Sequence, residues 1–396
     1  MEFAREQYDN VAYINFEFDN AAVAIFENSL DPKEVVPKIE VFTKQTVTKG
    51  RTLIFLDEVQ KCPPALTALK YFCEFAPEYH VIAAGSLLGV AVSREEFSFP
   101  VGKVNRLTLF PMDFEEFLIA MGKSDFVVRI KECFEANKPM DTIYHDSLFE
   151  YYRQYLVVGG MPDCVAKFVE TGDYVLIRAT QKLILDDYLD DMSKYNSKSE
   201  IQKTRLTYNS VTAQLSKKNT RFQYKLIKPG GRAAEFENAI EWLVLSGIVT
   251  RVHALDTVKK PLDNYKNIDS FKIFVSDVGL LCAKNNVLAN DVLYASSELN
   301  DFKGGMTENY VCSQLVCRGY ECYTWFSEGE AEMDFVIQRD GKIIPIEVKS
   351  ADNSKAKSLS IYTGKFKPEY AIKISANNFG IANGIRTIPL YAAFCI

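Results

Sequence analysis

The sequence predicts an α/β multidomain fold, and three observations carry that reading. Apolar strand-like runs alternate with helical stretches over the first 110 residues. The next eighty residues or so are helical, and a sharp change from acidic to basic composition follows them. The last hundred residues return to short strands around one helix. A length of 396 residues accommodates two to three domains, and 47% hydrophobic with 25% charged residues suits substantial cores. The pattern predicts four blocks: a parallel-sheet core over 1–120, a helical connector over 121–192, a helix–turn–helix with a hairpin over 193–290, and a second α/β domain over 291–396.

Within the first block, VAYINFEF (11–18) alternates and is rich in β-formers, so it reads as a strand. Residues 34–49 read as a helix that Gly50 ends. TLIFL (52–56) is a continuous apolar run, which suits a strand buried on both faces of a parallel sheet. ALTALKYFCEF (65–75) has helical spacing, HVIAAGS (80–86) is another buried strand, and VNRLTL (104–109) predicts a further one. From 112 to 190 three helical stretches follow, ending on Asp186, Asp187, Asp190 and Asp191. Helices at 201–218 and 232–246 then precede the strands IVTRVHAL and FKIFV, which is the plan of a winged helix. In the last block, 307–319 reads as a helix, and 322–326, 332–338 and 342–350 as strands. Arg339-Asp340-Gly341 predicts a tight hairpin turn between the last two. A helix at 354–362 and a strand at 370–374 complete the block.

Composition narrows the function. The net charge is −6, which does not fit a protein coated in nucleic acid. Nine scattered cysteines without a C-x-x-C pair argue against a disulfide framework or a zinc site. His80, His145 and His253 lie far apart and do not suggest a histidine metal site. The start, MEFAREQYDN, lacks the apolar core of a signal peptide, and no apolar run is long enough to span a bilayer. The chain therefore reads as cytoplasmic, without a membrane partner.

TLIFLDEVQ places Asp57 and Glu58 at the end of an apolar strand. A P-loop NTPase uses such a pair to hold magnesium and to orient the attacking water. Ser86, at the end of the next strand, suits a polar group that senses the γ-phosphate. The glycine-rich loop G-x-x-x-x-G-K-[ST], whose N–H groups cradle phosphates, is not in the 396 residues. Gly122-Lys123-Ser124 has Phe117 where the first glycine belongs, and Gly102-Lys103 is followed by Val104.

A second acidic constellation lies near the C-terminus. Asp334 and the segment Glu347-Val348-Lys349 fall on successive strands, and strand alternation points Glu347 and Lys349 to one face. Glu308 lies on the upstream helix. This is the layout of a PD-(D/E)xK nuclease of restriction-endonuclease-like fold: carboxylates hold a divalent cation, and the lysine stands beside the attacking water or the scissile phosphate. A charged hairpin with a solvated outer face would give the same pattern.

Residues 193–232 hold ten Lys/Arg against the single acid Glu200. Lys203, Arg205, Lys217, Lys218 and Arg221 are the candidate contacts to the phosphates of DNA or another nucleic acid. The same cations would also serve to dock this segment on the acidic cluster before it.

The stretches LDEVQKCP, ALKYFCEF, VIAAGSLLG, FPVGKV and LFPMDFEEFL resemble the AAA-type ATPase domain of a large bacterial and archaeal family of ATP-binding proteins. FKIFVSDVGLL, GGMTENYV, EMDFVIQ and IIPIEVKS resemble that family's C-terminal domain of unknown function, which has a nuclease-like fold. The resemblance implies ATP and Mg2+ as cofactors in intact members. Asp57 falls at the magnesium position, Glu58 at the water-activating position and Ser86 at the sensor position. It offers Arg94 and Arg106 for the arginine finger without choosing between them. Relatives place a phosphate loop upstream of what is Met1 here, so the resemblance implies an N-terminally truncated member. Two functions follow from it: an ATPase-family protein acting on nucleic acid or a protein partner, or an interaction protein that keeps the fold without either chemistry.

Overall fold

The computed structural model describes residues 2–85, 102–194, 198–216, 221–329, 331–350 and 357–396. The chain divides into two units, Met1–Leu109 and Phe110–Ile396. Among the described residues no helix is long and apolar enough to cross a membrane.

In the first unit, β1 (Asn10–Asn15), β2 (Thr52–Asp57) and β3 (His80–Ala83) form a parallel sheet in the order β1-β2-β3. Parallel strands require crossovers, and the helices Pro32–Thr43 and Pro63–Phe75 supply them. Asp31 caps the first, its carboxylate accepting from the Lys33 N–H at 2.9 Å. The apolar run of β2 has its predicted cause: Leu53, Ile54 and Leu56 are buried in the middle strand, packed among residues such as Ile14, Val35, Ile39, Leu66 and Phe72.

β2 is paired on both sides, and β1 and β3 are the edge strands among the described residues. Ile82 on β3 is accordingly 40% exposed. Residues 104–109 form no strand: Leu107 and Leu109 are 97% and 95% exposed. Spacing alone does not make a strand, because its N–H and C=O groups need a ladder partner.

The second unit is built on eight strands: β4 (Val249–Leu255), β5 (Lys266–Val275), β6 (Tyr323–Phe326), β7 (Glu332–Arg339), β8 (Lys342–Val348), β9 (Ala371–Ser375), β10 (Gly380–Ala382) and β11 (Ile385–Pro389). Their order is β10-β11-β9-β8-β7-β6-β4-β5. The helices Lys198–Leu215 and Ala233–Leu245 precede the β4–β5 hairpin, in the sequence a winged helix requires. The hairpin is nevertheless no free wing. β4 pairs in parallel with β6 through His253↔Tyr323, Ala254↔Thr324 and Leu255↔Trp325, which builds the hairpin into the common sheet. The apolar faces of its strands account for this, since Val252, Leu255, Phe271 and Ile273 are buried. The predicted turn between β7 and β8 forms with Asp340 and Gly341 both at positive φ, as a two-residue hairpin turn of the primed type demands.

The strings VVGG (157–160) and SDVGLL (276–281) meet at Asp277. This buried carboxylate caps the helix Val278–Lys284 by accepting from the Leu280 N–H at 2.7 Å, and it also accepts from the Gly160 N–H at 2.6 Å. Only glycine fits the closest approaches. A Cβ on Gly279 would lie 2.6 Å from the Gly159 nitrogen, and one on Gly160 would lie 2.0 Å from the Met112 carbonyl oxygen.

Burial pushes Asp277 up to about 6, although the N–H groups of Gly160, Leu280 and Gly279 pull the other way. The folded chain therefore holds this proton more tightly than the unfolded chain, whose Asp titrates near 4. Stability from this group is highest below pH ~4, falls through pH ~6 and is flat above, a change of about 3 kcal/mol. Urea midpoints measured from pH 4 to 7 should show this slope, reduced in Asp277→Asn. An identical slope in the variant would assign the proton elsewhere.

Candidate functional site

Two groups of carboxylates stand out, one in each unit. In the first unit the parallel register sets Asn15 opposite Asp57, with Tyr13 two residues earlier on the same face of β1. The Tyr13 hydroxyl donates to Asp57 Oδ2 at 2.6 Å, and Asn15 Nδ2 lies 3.5 Å from the same oxygen. That hydrogen bond is the main cause of a raised Tyr13 pKa. Asp57 Oδ1 accepts from the Glu58 N–H at 3.0 Å. Each oxygen of a carboxylate has two lone pairs, so Asp57 keeps acceptor capacity for an ion or its water. Glu58 has left-handed backbone (φ 52°), which turns the chain sharply out of β2, and its carboxylate accepts from the Gln60 side chain. The chain after β3 runs beside this turn, with the Val59 N–H on the Ala84 carbonyl at 3.0 Å. Ser86 and Arg94 lie outside the described residues, and Arg106 is exposed. The sequence reading passed over Tyr13, Asn15 and Gln60. The i, i+2 pair on β1 was the available signal.

In the second unit, Glu308 comes from the helix Asn300–Cys317, Glu332 and Asp334 from one face of β7, and Glu347 from β8, with Lys349 just beyond it. Asp334 and Glu347 each lie one position beyond the paired residues Phe335↔Ile346. One oxygen each from Glu308, Glu332 and Asp334 lies within 4.8 Å of the others, a spacing that suits a shared cation. Asp334 Oδ2 accepts from the Val348 N–H at 2.7 Å, and Lys349 pairs with Glu347 Oε1. Glu347 is 1% exposed, and its Oε2 has no hydrogen-bond partner among the described residues. Burial, with the charges of Glu308 and Glu347, drives the Asp334 pKa well above the usual carboxylate range. Burial also raises Glu347, against the pull of Lys349.

The residue the sequence reading missed here is Lys272, the one charge in the apolar strand FKIFV of β5. It has no exposed surface, its Nζ lies 3.1 Å from Glu308 Oε2, and it also pairs with Glu332. Burial works against its charge, but Glu308, Glu332 and Asp334 together raise its pKa. A lysine inside a buried strand was itself a signal, because such a charge requires partners.

Three of the candidate phosphate contacts, Lys203, Arg205 and Arg221, have intrachain partners. Lys203 pairs with Glu200 at 2.9 Å. Arg205 donates to the Leu189 carbonyl at 3.0 Å and to Ser193 Oγ at 2.8 Å, both on the preceding helix. The Arg221 guanidinium lies 3.9 Å from the Phe326 ring centroid. Lys217 and Lys218 lie outside the described residues.

Comparison with known families distinguishes the segments. Residues 1–118 match an AAA domain. Residues 149–291 match a domain of unknown function (DUF8612), and residues 303–393 match another (DUF4143). No curated protein matches the chain. Among solved structures, a Walker-type ATPase of Pyrococcus abyssi is similar at 12% identity and a TM-score of 0.37, over 64% of this chain and 67% of that one. The Asp57–Glu58 pair falls inside the AAA segment, and Glu308, Asp334, Glu347 and Lys349 fall inside the last.

Proposed function

We propose that the first unit is the magnesium- and water-positioning half of an AAA-type ATPase site. The observation that carries this is the Asp57–Glu58 pair at the carboxyl end of the middle strand of a parallel sheet, within a segment that matches an AAA domain. Ligands of α/β sheets bind at that end of the strands. The residues fit Mg2+: Asp57 keeps open lone pairs and is steadied by Tyr13, so it would hold the ion through water. When bound, the ion supplies positive charge to phosphate oxygens. Glu58 would take the proton of an attacking water, and Ser86 would contact the γ-phosphate. The triphosphate itself does not fit this residue set, because the 396 residues contain no G-x-x-x-x-G-K-[ST] segment.

The chain should therefore bind ATP weakly. Each charge-assisted phosphate contact is worth about 1.5–3 kcal/mol, so losing two or three moves micromolar affinity to millimolar or beyond. Fusion of a phosphate-loop segment from a relative should restore ATP binding, and Glu58→Gln in that fusion should then retain ATP unhydrolysed. ATP turnover by the unextended chain that depends on Glu58 would overturn the reading.

A second reading concerns the other unit: a divalent-cation site at Asp334 and Glu347, with Glu308 nearby, for hydrolysis of a nucleic-acid phosphodiester. The buried, unpartnered Oε2 of Glu347 favours it, since an orphaned acceptor of this kind has a large desolvation cost that a cation offsets. Lys349 would stand beside the scissile phosphate. Lys203, Lys217, Lys218 and Arg221 would meet the nucleic-acid backbone, and a non-catalytic protein-binding role is the alternative. Calorimetric titration with Mn2+ in an Asp57→Ala background should show heat that Asp334→Ala abolishes, and unchanged heat in the double variant would remove the site.

A further inference from the structure

The second unit gathers a cluster of acidic and basic side chains around Lys272. Four carboxylates, Glu308, Glu332, Asp334 and Glu347, meet two ammonium groups, Lys272 and Lys349. The groups divide unevenly. Lys272 is completely buried and bridges Glu308 and Glu332. Lys349 satisfies one oxygen of Glu347 and leaves the other, Oε2, buried without a partner. Asp334 lies between these halves: its oxygen belongs to the close trio with Glu308 and Glu332, and the charge of Glu347 also acts on it. The orphaned oxygen of Glu347 and the neighbouring carboxylate of Asp334 are the acceptors that a divalent ion would use.

We propose that Lys272 is the resident cation of this centre. Its ammonium holds the place beside Glu308 and Glu332 that a second metal ion would need, so the centre takes one hard divalent cation, Mg2+ or Mn2+, between Asp334 and the free oxygen of Glu347. Oxygen ligands suit such an ion. Lys272 thereby sets the metal count: the cluster is a one-metal centre, with a fixed ammonium where two-metal phosphoryl-transfer sites hold their second ion. This rests on the cation reading at Asp334 and Glu347, and the role of Lys272 goes beyond it.

The test is a Mn2+ titration of the full chain by calorimetry, in an Asp57→Ala background so that the first unit does not contribute. The parent should bind one ion, and Lys272→Met should bind two, because the ammonium no longer occupies the place between Glu308 and Glu332. One ion in both proteins overturns the role of Lys272 and leaves the cation reading standing. Two ions in the parent likewise overturns the role of Lys272. No ion in the parent overturns both. If Lys272→Met does not fold, the neutral triple variant Lys272→Met, Glu308→Gln, Glu332→Gln replaces it, since removing all members of a buried ionic group avoids an uncompensated charge. That variant should still bind one ion. Loss of binding would make Glu308 and Glu332 ligands of the single ion and overturn the proposal.

Discussion

The contact on which the second unit's centre depends is the ammonium of Lys272 between Glu308 and Glu332. Bringing ions out of water costs several kcal/mol each, and only close opposite charge offsets that. Three carboxylate oxygens could not otherwise share a space 4.8 Å across without taking up protons. The consequence is structural as well as electrostatic. Lys272 lies on β5 at one edge of the sheet, Glu308 on a helix and Glu332 on β7, with β4 and β6 intervening in the strand order. One side chain thus ties the hairpin that precedes the last domain-like segment to the strands within it. Removing a single partner from such a group typically costs roughly 3–5 kcal/mol, because the remaining charge is left buried.

Asp57 and Glu58 follow a different rule. They sit at a strand end and remain partly exposed, so solvent shares the burden of their charge. Hydrogen bonds from Tyr13 and Gln60 position them. A group held this way can exchange water for a ligand at little cost. The centre around Lys272 is different, since Lys272, Asp334 and Glu347 are buried.

Local pattern made much of this legible. The apolar run of β2, the Asp340-Gly341 turn and the i, i+2 spacing of Glu347 and Lys349 each follow from strand geometry. The motif residues Glu308, Asp334 and Glu347 were found from spacing across a hairpin and an upstream helix, and the structure gathers them. Lys272 was not found, because its partner Glu308 lies 36 residues away and the two meet only once β4 has paired with β6. The hairpin's place in the sheet was hidden for the same reason: alternation tells which face is apolar, and the partner depends on tertiary pairing. At 104–109 the opposite error arose, since a pattern that suits a strand found no neighbour. For Arg205, charge suggested an outward contact, yet its guanidinium reaches the Leu189 carbonyl on the preceding helix.

The central claim is that the Lys272 ammonium keeps the place beside Glu308 and Glu332 while one divalent ion lies between Asp334 and Glu347. Anomalous diffraction from crystals soaked in Mn2+ tests it most directly. The account predicts a single peak in contact with Asp334 and Glu347, with the Lys272 ammonium still between Glu308 and Glu332. A peak between Glu308 and Glu332 with the Lys272 side chain displaced, or two peaks within the cluster, would contradict it.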